Sequence, residues 1–333
     1  MWTLPEIAVT RELRRLAVLT SGGDAPGMNA AVRAITRTAI ARGLEVFAAE
    51  RGFSGLVNGP LRPLDVAAVG GILQRGGTIL KTDRCEAFLQ PAVRARAVED
   101  LRHQGIGALI VIGGDGSLTG AHQLTTETGL PVIGLPGTID NDIVGTEDTI
   151  GFDTAVNTAL EAIDRVRDTA YSHERLFLVE VMGRSSGFIA VTVGIAGGAE
   201  AIVLPDRSID AATLVSELPG RRLRNKPSSL VVVAEGTDPT YTQRLAAELG
   251  SLGHPARACI LGHIQRGGRP SGHDRVLASL LGASAVDHLL GGYTDVMLGM
   301  RKGRIATTPL QRVAHERKPL PPAWLELART LAS

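Results

Sequence analysis

Short runs of apolar residues alternate along this chain with longer segments whose apolar residues recur at helical spacing. RLAVLT (15–20) precedes PGMNAAVRAITRTAIARG (26–43), ALIVIGG (108–114) precedes SLTGAHQLTTETG (117–129), and LPVIGLP (130–136) follows. Apolar runs of this length, bounded by glycine and proline, are typical of buried strands, and the segments between them are typical of amphipathic helices. The pattern therefore predicts strands that alternate with helices.

The second half of the chain repeats this alternation. FDTAVNTALEAIDRVRDTA (152–170) places apolar residues on one helical face, and RLFLVEVM (175–182) and SSLVVVAEG (228–236) are apolar strand candidates. FIAVTVGIAGGAEAIVLP (188–205) is predicted to form a buried helix, a glycine break and a buried strand. Strands that are apolar on both faces indicate a parallel sheet covered by helices on both sides. The length of 333 residues suggests about two domains, and the predicted junction is 145–151.

Net charge, aromatic content and cysteine count exclude several classes of protein. The net charge is +1 and aromatic residues make up 3% of the chain, which argues against nucleic acid as a partner. Cys85 and Cys259 are the only cysteines of the sequence, which fits a reducing compartment. No signal peptide is recognisable, and 188–205 falls short of an apolar span of about 20 residues. We therefore expect a cytoplasmic protein without a membrane partner, and residues 1–14 have no predicted role.

Three polar clusters follow predicted strands. They are TSGGDAPGMN (20–29), GGDGSLTGA (113–121) and PGTIDND (136–142). Ligands of open parallel sheets bind at the carboxyl ends of the strands, so the clusters are predicted to converge on one crevice. Glycine turns that lead into helix N-termini expose backbone N–H groups and favour phosphates, although ordinary strand–helix turns are the alternative. The chain contains neither G-x-x-x-x-G-K-[ST] nor G-x-G-x-x-G.

The second and third clusters carry carboxylates that suit phosphoryl transfer. Asp115 lies in a glycine loop, where an acid can hold Mg²⁺ against phosphates, with helix capping as the alternative. Asp140 and Asp142 flank one asparagine, and paired carboxylates cost free energy unless a metal, a cation or a proton compensates them. An acceptor hydroxyl needs a base, so Asp140 is the candidate base and Asp142 its support or a further metal ligand. Helix capping is the alternative, and it would explain one of these aspartates better than it explains the presence of two.

Basic residues lie at the ends of the later strands and loops. They are Arg175, Arg184, Arg257, His263 and Arg266. In a chain of near-zero net charge such a set indicates clamps for anionic oxygens. The alternatives are solvated arginines and a structural histidine.

One motif points to a different chemistry. GRSSG (183–187) matches the G-x-S-x-G pattern of serine hydrolases and follows a predicted strand. A hydrolase would use Ser185, Asp238 and His263. This hypothesis leaves both glycine loops, Asp115 and the aspartate pair unused, so it is the weaker one.

Six motifs together resemble one known family. They are LTSGGDAPGMNAAVR (19–33), GGDGSLTGA (113–121), GLPGTIDNDI (134–143), TIGFDTAVNTALEAIDRVRDTA (149–170), VEVMGRSSG (179–187) and LGHIQRGGRPS (261–271). In this order they resemble the bacterial ATP-dependent 6-phosphofructokinases, and the resemblance covers about residues 16–320. It implies an allosteric glycolytic enzyme that transfers the γ-phosphoryl group of Mg-ATP to the 1-hydroxyl of fructose 6-phosphate.

The resemblance also implies an architecture. It comprises two similar three-layer α/β/α domains with mostly parallel sheets and an active site in the cleft between them. The ATP-binding domain would be residues 1–150 plus about 263–313, and the sugar-phosphate-binding domain 151–262 plus about 314–333. A homotetramer with shared active and effector sites is implied, in which Arg175 and Arg257 enter the sugar-phosphate site from a neighbouring subunit.

The resemblance assigns individual residues to the substrates. The nucleotide residues would be Gly22, Arg84, Cys85, Gly114, Asp115, Gly116 and Ser117, with Asp115 as the Mg²⁺ ligand. The catalytic residues would be Asp140 as the base, Thr138 and Asp142 as its support, and Arg184 as the stabiliser of the transferring phosphoryl group. The sugar-phosphate residues would be Thr138, Asp140, Asp142, Arg175, Met182, Gly183, Arg184, Glu235, Arg257, His263 and Arg266.

The choice of phosphoryl donor is implied by two glycines. Family members that use pyrophosphate tend to carry Asp at the position of Gly116 and Lys at that of Gly137, so both glycines favour ATP. Pyrophosphate as donor, or a wider range of ketose phosphates as acceptors, is the alternative. A regulatory subunit without catalysis is the alternative from another class, but it would be expected to lack Asp115 or Asp140, and both are present.

The implied effector site, for a nucleoside diphosphate or phosphoenolpyruvate, is incomplete. Its matching residues are Arg33, Arg37, Arg167, Gly198, Glu200, Arg224 and Lys226, with Glu200 as a candidate metal ligand. Val66, Gly71 and Ser228 stand where the family commonly has Arg, Asp and His. Because an anion pocket with fewer cations binds differently, we expect altered allostery.

Overall fold

The computed structural model describes residues 2–173, 176–206, 209–218 and 229–332. Its strands are β1 (Arg15–Ser21), β2 (Glu45–Ala48), β3 (Arg62–Leu64), β4 (Ala108–Gly113), β5 (Val132–Pro136), β6 (Leu176–Val181), β7 (Ala201–Val203), β8 (Ser229–Ala234), β9 (Ala256–Ile260), β10 (Val296–Arg301) and β11 (Arg304–Pro309). Its helices are α1 (Met28–Ala41), α2 (Phe53–Asn58), α3 (Pro91–His103), α4 (Asp115–Thr128), α5 (Phe152–His173), α6 (Phe188–Ala196), α7 (Ala211–Glu217), α8 (Tyr241–Ser251), α9 (Gly272–Leu290), α10 (Leu310–His315) and α11 (Pro322–Ala332). Two short 3-10 helices span Glu86–Leu89 and Gly262–Arg266.

The chain divides into two compact units. The first unit comprises Met1–Ile139, Ile143–Asp153 and Arg266–Lys318, and the second comprises Asp140–Asp142, Thr154–Gln265 and Pro319–Ser333. Each unit alternates strands and helices, which confirms the predicted α/β class. The first unit extends to Asp153, so the stretch 145–151 that was predicted as the junction lies inside it. The assignment of ATP to one unit and sugar phosphate to the other stays a prediction.

The first unit is built on a seven-stranded sheet in the order β11-β10-β5-β4-β1-β2-β3, in which only the outer pairs β10–β11 and β2–β3 are antiparallel. β4 and β5 are buried throughout their lengths, because they are continuous apolar runs. Alternate strand residues such as Leu109 and Val111 pack with α3 and α4 in one core cluster. The strand residues between them point to the opposite face of the sheet, which is covered by α1 and α9. These two helices pack on each other.

The second unit is built on a four-stranded sheet in the order β7-β8-β6-β9, in which all pairs are parallel. Leu178, Val231 and Val233 pack with α7 and α8 on one face, and α6 packs against β7 and β8. The predicted break after the buried helix is confirmed: α6 ends at Ala196, Gly198 has φ 63, and β7 follows. In the part of the chain that the structure describes, no helix is long and apolar enough to cross a bilayer.

The N-terminal extension packs on the first unit. The backbone N–H groups of Thr10 and Arg11 donate to the carbonyl of Leu290 at 2.8 and 2.9 Å. The Arg11 guanidinium donates to the carbonyls of Leu289 at 3.3 Å and Gly292 at 2.9 Å. The last carbonyls of a helix have no partner within it. The extension, which had no predicted role, therefore caps the C-terminus of α9.

Candidate active site

The predicted convergence of the first three clusters follows from strand register. Ser21 of β1 pairs with Gly113 of β4, and Gly113 pairs with Pro136 of β5. These three strands are adjacent and parallel, so they end at the same edge of the sheet. The two glycine loops and the start of PGTIDND therefore lie side by side in the first unit.

Close packing explains the glycines of these loops. Gly22 has φ 84, and a Cβ there would lie 3.2 Å from the Oγ of Ser117. A Cβ at Gly113 would lie 2.6 Å from the carbonyl oxygen of Ser21. The Thr82 hydroxyl donates to the carbonyl of Gly22 at 2.5 Å, which ties the segment before Arg84 to the first loop. The backbone of the loops is thus fixed with its amides near the strand ends.

Asp115 begins helix α4, with Gly114 as the N-cap residue. Its Oδ1 accepts a hydrogen bond from the N–H of Gly116 at 2.7 Å, and its Oδ2 pairs with the guanidinium of Arg317. A helix N-terminus attracts anions, and Mg²⁺ in such sites is held by one or two carboxylates together with phosphate oxygens. Among the described residues no cluster of three or more His, Cys, Asp or Glu forms a separate metal site. The donors present fit a Mg²⁺ ion that is shared with a phosphate ligand.

The remaining nucleotide residues differ in exposure. Arg84 is exposed, whereas Cys85 packs partly against the core of the first unit. A Cβ at Gly116 would meet no atom within 4 Å, whereas a Cβ at Gly137 would lie 2.9 Å from Ile112 Cγ2 and 3.0 Å from Met28 Cε. The two glycines that are expected to determine the phosphoryl donor therefore differ in their surroundings. A side chain at residue 116 would have room, whereas one at residue 137 would meet the side chains already packed there.

Arg266 belongs to the first unit. Its Nη1 donates to the carbonyl of Asp24 at 3.3 Å and lies 2.3 Å from the place of a Cβ at Gly23. The guanidinium thus covers the first glycine loop, and the absence of a side chain at residue 23 makes room for it. The predicted contact of Arg266 with a sugar phosphate stays a prediction.

The end of β5 leads into the aspartate pair. Thr138 and Asp140 are buried, with 8% and 5% of their surface exposed, and Asp142 is half-buried. The carbonyl of Asp140 accepts a hydrogen bond from the Ser186 hydroxyl at 2.9 Å, within the second unit. Asn141 has φ 51, a left-handed conformation that asparagine tolerates better than most residues. Asp140 and Asp142 therefore flank a residue with left-handed backbone.

The second unit brings another set of predicted residues together. Val181 pairs with Ala234, and Glu180 pairs with Ile260, so β6, β8 and β9 end at one edge. The residues that follow these strand ends are Met182, Gly183, Arg184, Glu235 and His263.

Hydrogen bonds hold this second edge. The N–H of Glu235 donates to the carbonyl of Val181 at 2.8 Å, and the N–H of Arg184 approaches the Glu235 carboxylate at 3.5 Å. Gln265 is fully buried, its Oε1 accepts from the N–H of Met182 at 2.8 Å, and its amide donates to the carbonyl of Ala155 at 3.3 Å. Gln265 therefore joins the turn after β6 to helix α5.

Two charged residues at the end of β6 have unusual surroundings. Burial raises the pKa of Glu180, the Thr242 hydroxyl bond lowers it, and the nearby Glu235 carboxylate raises it again. Arg184 is exposed and has φ 49, which is strained for a residue with a Cβ. Its backbone N–H lies near the Glu235 carboxylate, in the turn that follows β6.

Two arginines were predicted to come from a neighbouring subunit. Arg257 lies on β9 and is exposed. Arg175 lies outside the described residues.

The described residues do not form the catalytic triad that the hydrolase hypothesis requires. Within the described ranges no hydrogen bond joins Ser185 to His263, and both side chains are exposed. Asp238 is bonded to Thr240 at 2.7 Å and to Arg244 at 2.7 Å, and these bonds lower its pKa to about 2. The residue with a side chain that has left-handed backbone in this turn is Arg184, whereas a nucleophile elbow strains the serine.

The effector-site residues belong to elements of both units. Arg33 and Arg37 are on α1, whereas the Nη2 of Arg167 donates to the carbonyls of Gly197 and Gly198, the second at 2.6 Å. Glu200 is buried, and its carboxylate accepts the N–H of Leu230 at 2.7 Å. Val66 is exposed, and Gly71 has φ 65. Arg224, Lys226 and Ser228 lie outside the described residues.

Several residues of the site were not predicted from the sequence. They are Thr149 and Asp274, which contact the loop at the end of β5, Ser186, Gln265 and Arg317. Only Asp274 carried a local signal, because S-x-x-D at 271–274 is a capping pattern at a helix start. The others act through partners distant in sequence.

Comparison with known proteins identifies the family of this chain. The phosphofructokinase family model matches residues 15–289. An ATP-dependent 6-phosphofructokinase 1 of Thermus thermophilus is 53% identical over 321 residues, 96% of this chain and 100% of the relative. An ATP-dependent 6-phosphofructokinase of Coxiella burnetii is 54% identical over 300 residues, 90% of this chain and 92% of the relative. The T-state structure of Pichia pastoris phosphofructokinase has a TM-score of 0.84 at 37% identity, covering 94% of this chain and 36% of that one. The resemblance predicted from the motifs is confirmed, and this chain belongs to the phosphofructokinase family.

Proposed function

We propose that this protein transfers the γ-phosphoryl group of Mg-ATP to the 1-hydroxyl of fructose 6-phosphate, giving fructose 1,6-bisphosphate and ADP in glycolysis. The observation that carries the proposal is the common end of β1, β4 and β5, where two glycine loops, Asp115 and Thr138 lie side by side. Relatives that match nearly the whole chain are named ATP-dependent 6-phosphofructokinases.

The nucleotide phosphates would bind at the glycine loops and the N-terminus of α4, where backbone N–H groups are available. Asp115 would hold Mg²⁺, which neutralises charge on the β- and γ-phosphates. In this structure its Oδ2 pairs with the guanidinium of Arg317. Arg84 and Ser117 would complete the contacts on either side of the loops.

Asp140 would take the proton of the sugar 1-hydroxyl as the hydroxyl oxygen attacks the γ-phosphorus. In support, Asp140 is 5% exposed and lies on the segment that leaves β5, two residues after Thr138. Thr138 and Asp142 would orient the hydroxyl, and Arg184 would stabilise the negative charge of the transferring group.

The sugar phosphate would lie at the ends of β6, β8 and β9. Met182, Gly183 and Glu235 would contact the sugar, and His263 and Arg266 would bind the 6-phosphate. Arg175 and Arg257 would complete the site from a neighbouring subunit. A charged clamp of this kind supplies positioning, which dominates phosphoryl transfer.

We also propose a homotetramer in the cytoplasm with an effector site that includes Arg33, Arg167 and Glu200. In support, Ile260 and Ile264, which follow Arg257 closely in sequence, are 42% and 60% exposed in the single chain. Exposed apolar residues next to a site of incomplete charge are typical of an interface. Light scattering should give four times the mass of the chain, and a monomer with full activity would remove Arg257 from the site.

The deciding experiment is phosphorylation of fructose 6-phosphate with Mg-ATP and with Mg-pyrophosphate, side by side. Turnover with ATP alone is the expected result. Turnover with pyrophosphate alone would keep the fold and overturn the donor. ATP binding without turnover on either donor would favour a regulatory subunit. Ser185→Ala serves as the control, because it should leave a kinase active and would inactivate a hydrolase.

A further inference from the structure

The segment that follows the aspartate pair turns back and lies along the end of β5. The N–H of Ile150 donates to the carbonyl of Pro136 at 2.9 Å, and Gly137 and Ile150 form a parallel bridge. On its other side, the N–H of Gly137 donates to the carbonyl of Gly113 at 3.0 Å. The peptide that precedes Thr138 is therefore held between β4 and this returning segment.

One side chain of the returning segment bonds directly to Thr138. The hydroxyl of Thr149 donates to the carbonyl of Thr138 at 2.6 Å, and Thr149 is 1% exposed. A buried hydroxyl–carbonyl bond contributes to stability, but losing the donor costs more, because it leaves a buried carbonyl without that partner. The bond fixes the peptide plane between Thr138 and Ile139, and the next residue is Asp140.

A buried carboxylate anchors the same segment. Asp274 is fully buried near the start of α9, where the Ser271 hydroxyl accepts its N–H at 3.1 Å. Its Oδ1 accepts the N–H of Gly151 at 2.9 Å. Gly151 has φ 106, and a Cβ there would lie 2.7 Å from Ala25 Cβ and 3.3 Å from Ile139 Cγ2. Gly151 is thus packed between the first glycine loop and the residue before Asp140.

We propose that Thr149 is a positioning residue for phosphoryl transfer, anchored through Gly151 by Asp274. It holds the carbonyl of Thr138 and so sets the peptide from which Thr138 and Asp140 project. The inference rests on the proposed function, and Thr149 itself does not touch the substrates. Displacing a reacting group by about 1 Å costs on the order of 10²-fold in rate, so this support affects turnover more than nucleotide binding.

The test compares Thr149→Val with Thr149→Ser. Valine removes the hydroxyl and keeps the shape, and we expect kcat to fall about 10–100-fold while the KM for ATP changes less than about threefold. Serine keeps the hydroxyl and should restore most of kcat. Thr149→Ala is measured in parallel, so that one variant that does not fold leaves the test intact. Unchanged kcat in a folded hydroxyl-free variant would overturn the proposal.

Thr146→Val is the matched control. Thr146 lies in the same loop, is 4% exposed, donates to the carbonyl of Asp148 at 2.6 Å and accepts the N–H of Met300 at 3.0 Å. It has no bond to the end of β5. We expect it to lower Tm at least as much as Thr149→Val and to leave kcat near the wild-type value. An equal loss of kcat in both variants would indicate general loosening of the loop and would contradict a specific role for Thr149.

Amide hydrogen exchange gives a second measurement that does not depend on the substrate. Thr149→Val should accelerate exchange in 137–142 of the full chain, and Thr146→Val should not. If the wild-type protein phosphorylates nothing, the proposed function fails, and this comparison still decides whether Thr149 holds the strand end. Equal exchange in wild type and Thr149→Val would then overturn the inference.

Discussion

Two residues of the candidate site have left-handed backbone although they carry side chains. Asn141 has φ 51 and Arg184 has φ 49. Such conformations cost of order 1–3 kcal/mol and persist where the surroundings enforce them. Here the surroundings include the Ser186 hydroxyl on the carbonyl of Asp140 and the Glu235 carboxylate near the N–H of Arg184. The strained residues are thus the one that follows the proposed base and the proposed phosphoryl stabiliser itself.

The first prediction at this scale concerns Asp140. Asp140→Asn keeps the size of the side chain and removes the base, so kcat should fall by about 10²–10⁴-fold. ATP affinity should change much less, because the nucleotide loops lie at the ends of β1 and β4. Single-turnover kinetics and nucleotide titration measure both quantities. Near-normal turnover would remove Asp140 from the role of base.

The second residue-scale prediction concerns the donor glycines. Gly116→Asp should fold normally, because a Cβ there meets no atom within 4 Å, and it should weaken ATP binding by placing a second acid beside Asp115. Gly137→Lys should lower stability by about 1–3 kcal/mol, because its Cβ would lie 2.9 Å from Ile112. Urea unfolding and ATP titration separate the two effects. A stable Gly137→Lys variant would contradict the packing argument.

At the scale of the element, the N-terminal extension stabilises a helix to which it is not joined in sequence. Arg11→Ala removes a charged donor from the carbonyls at the end of α9 and should lower the free energy of unfolding by about 1–2 kcal/mol. Arg14→Ala is the control, because Arg14 is exposed. Thermal unfolding measures the difference, and kcat should stay unchanged in both variants. Equal Tm values would mean that the cap contributes nothing.

The elements that the sequence predicted well are those with continuous apolar runs. β4, β5 and β8 are fully buried and were recognisable for that reason. β9 was not predicted, because its residues ARACI are mostly exposed in the single chain and its strand form depends on pairing with β6. Local pattern indicates burial, and it carries little information where an edge strand is ordered by its neighbour.

At the scale of the whole molecule, the candidate site was predictable only in part. The convergence of the glycine loops follows from parallel strands and needs no contact information. The residues that support the site could not be predicted, because their partners are distant in sequence. Asp274 binds Gly151, and Arg317 pairs with Asp115, which is 202 residues away. The segment Asp140–Asp142 groups with the second unit although its neighbours on both sides group with the first. No periodicity in the sequence indicates that this short segment groups with a different unit from its neighbours.

The division into units gives the last prediction, that the nucleotide contacts mainly the first unit and the sugar phosphate mainly the second. A non-hydrolysable Mg-ATP analogue alone should slow amide exchange at 21–23 and 113–118, where the loops of the first sheet end. Fructose 6-phosphate alone should slow it at 182–184 and 235–236, because the turns after β6 and β8 carry the proposed sugar contacts. Segment 304–309 of β11 serves as an internal reference, since β10 separates this edge strand from β5 and the glycine loops. If the nucleotide protected the turns after β6 and β8 instead, the assignment of substrates to units would be reversed, and Asp115 would lose its place as the magnesium ligand.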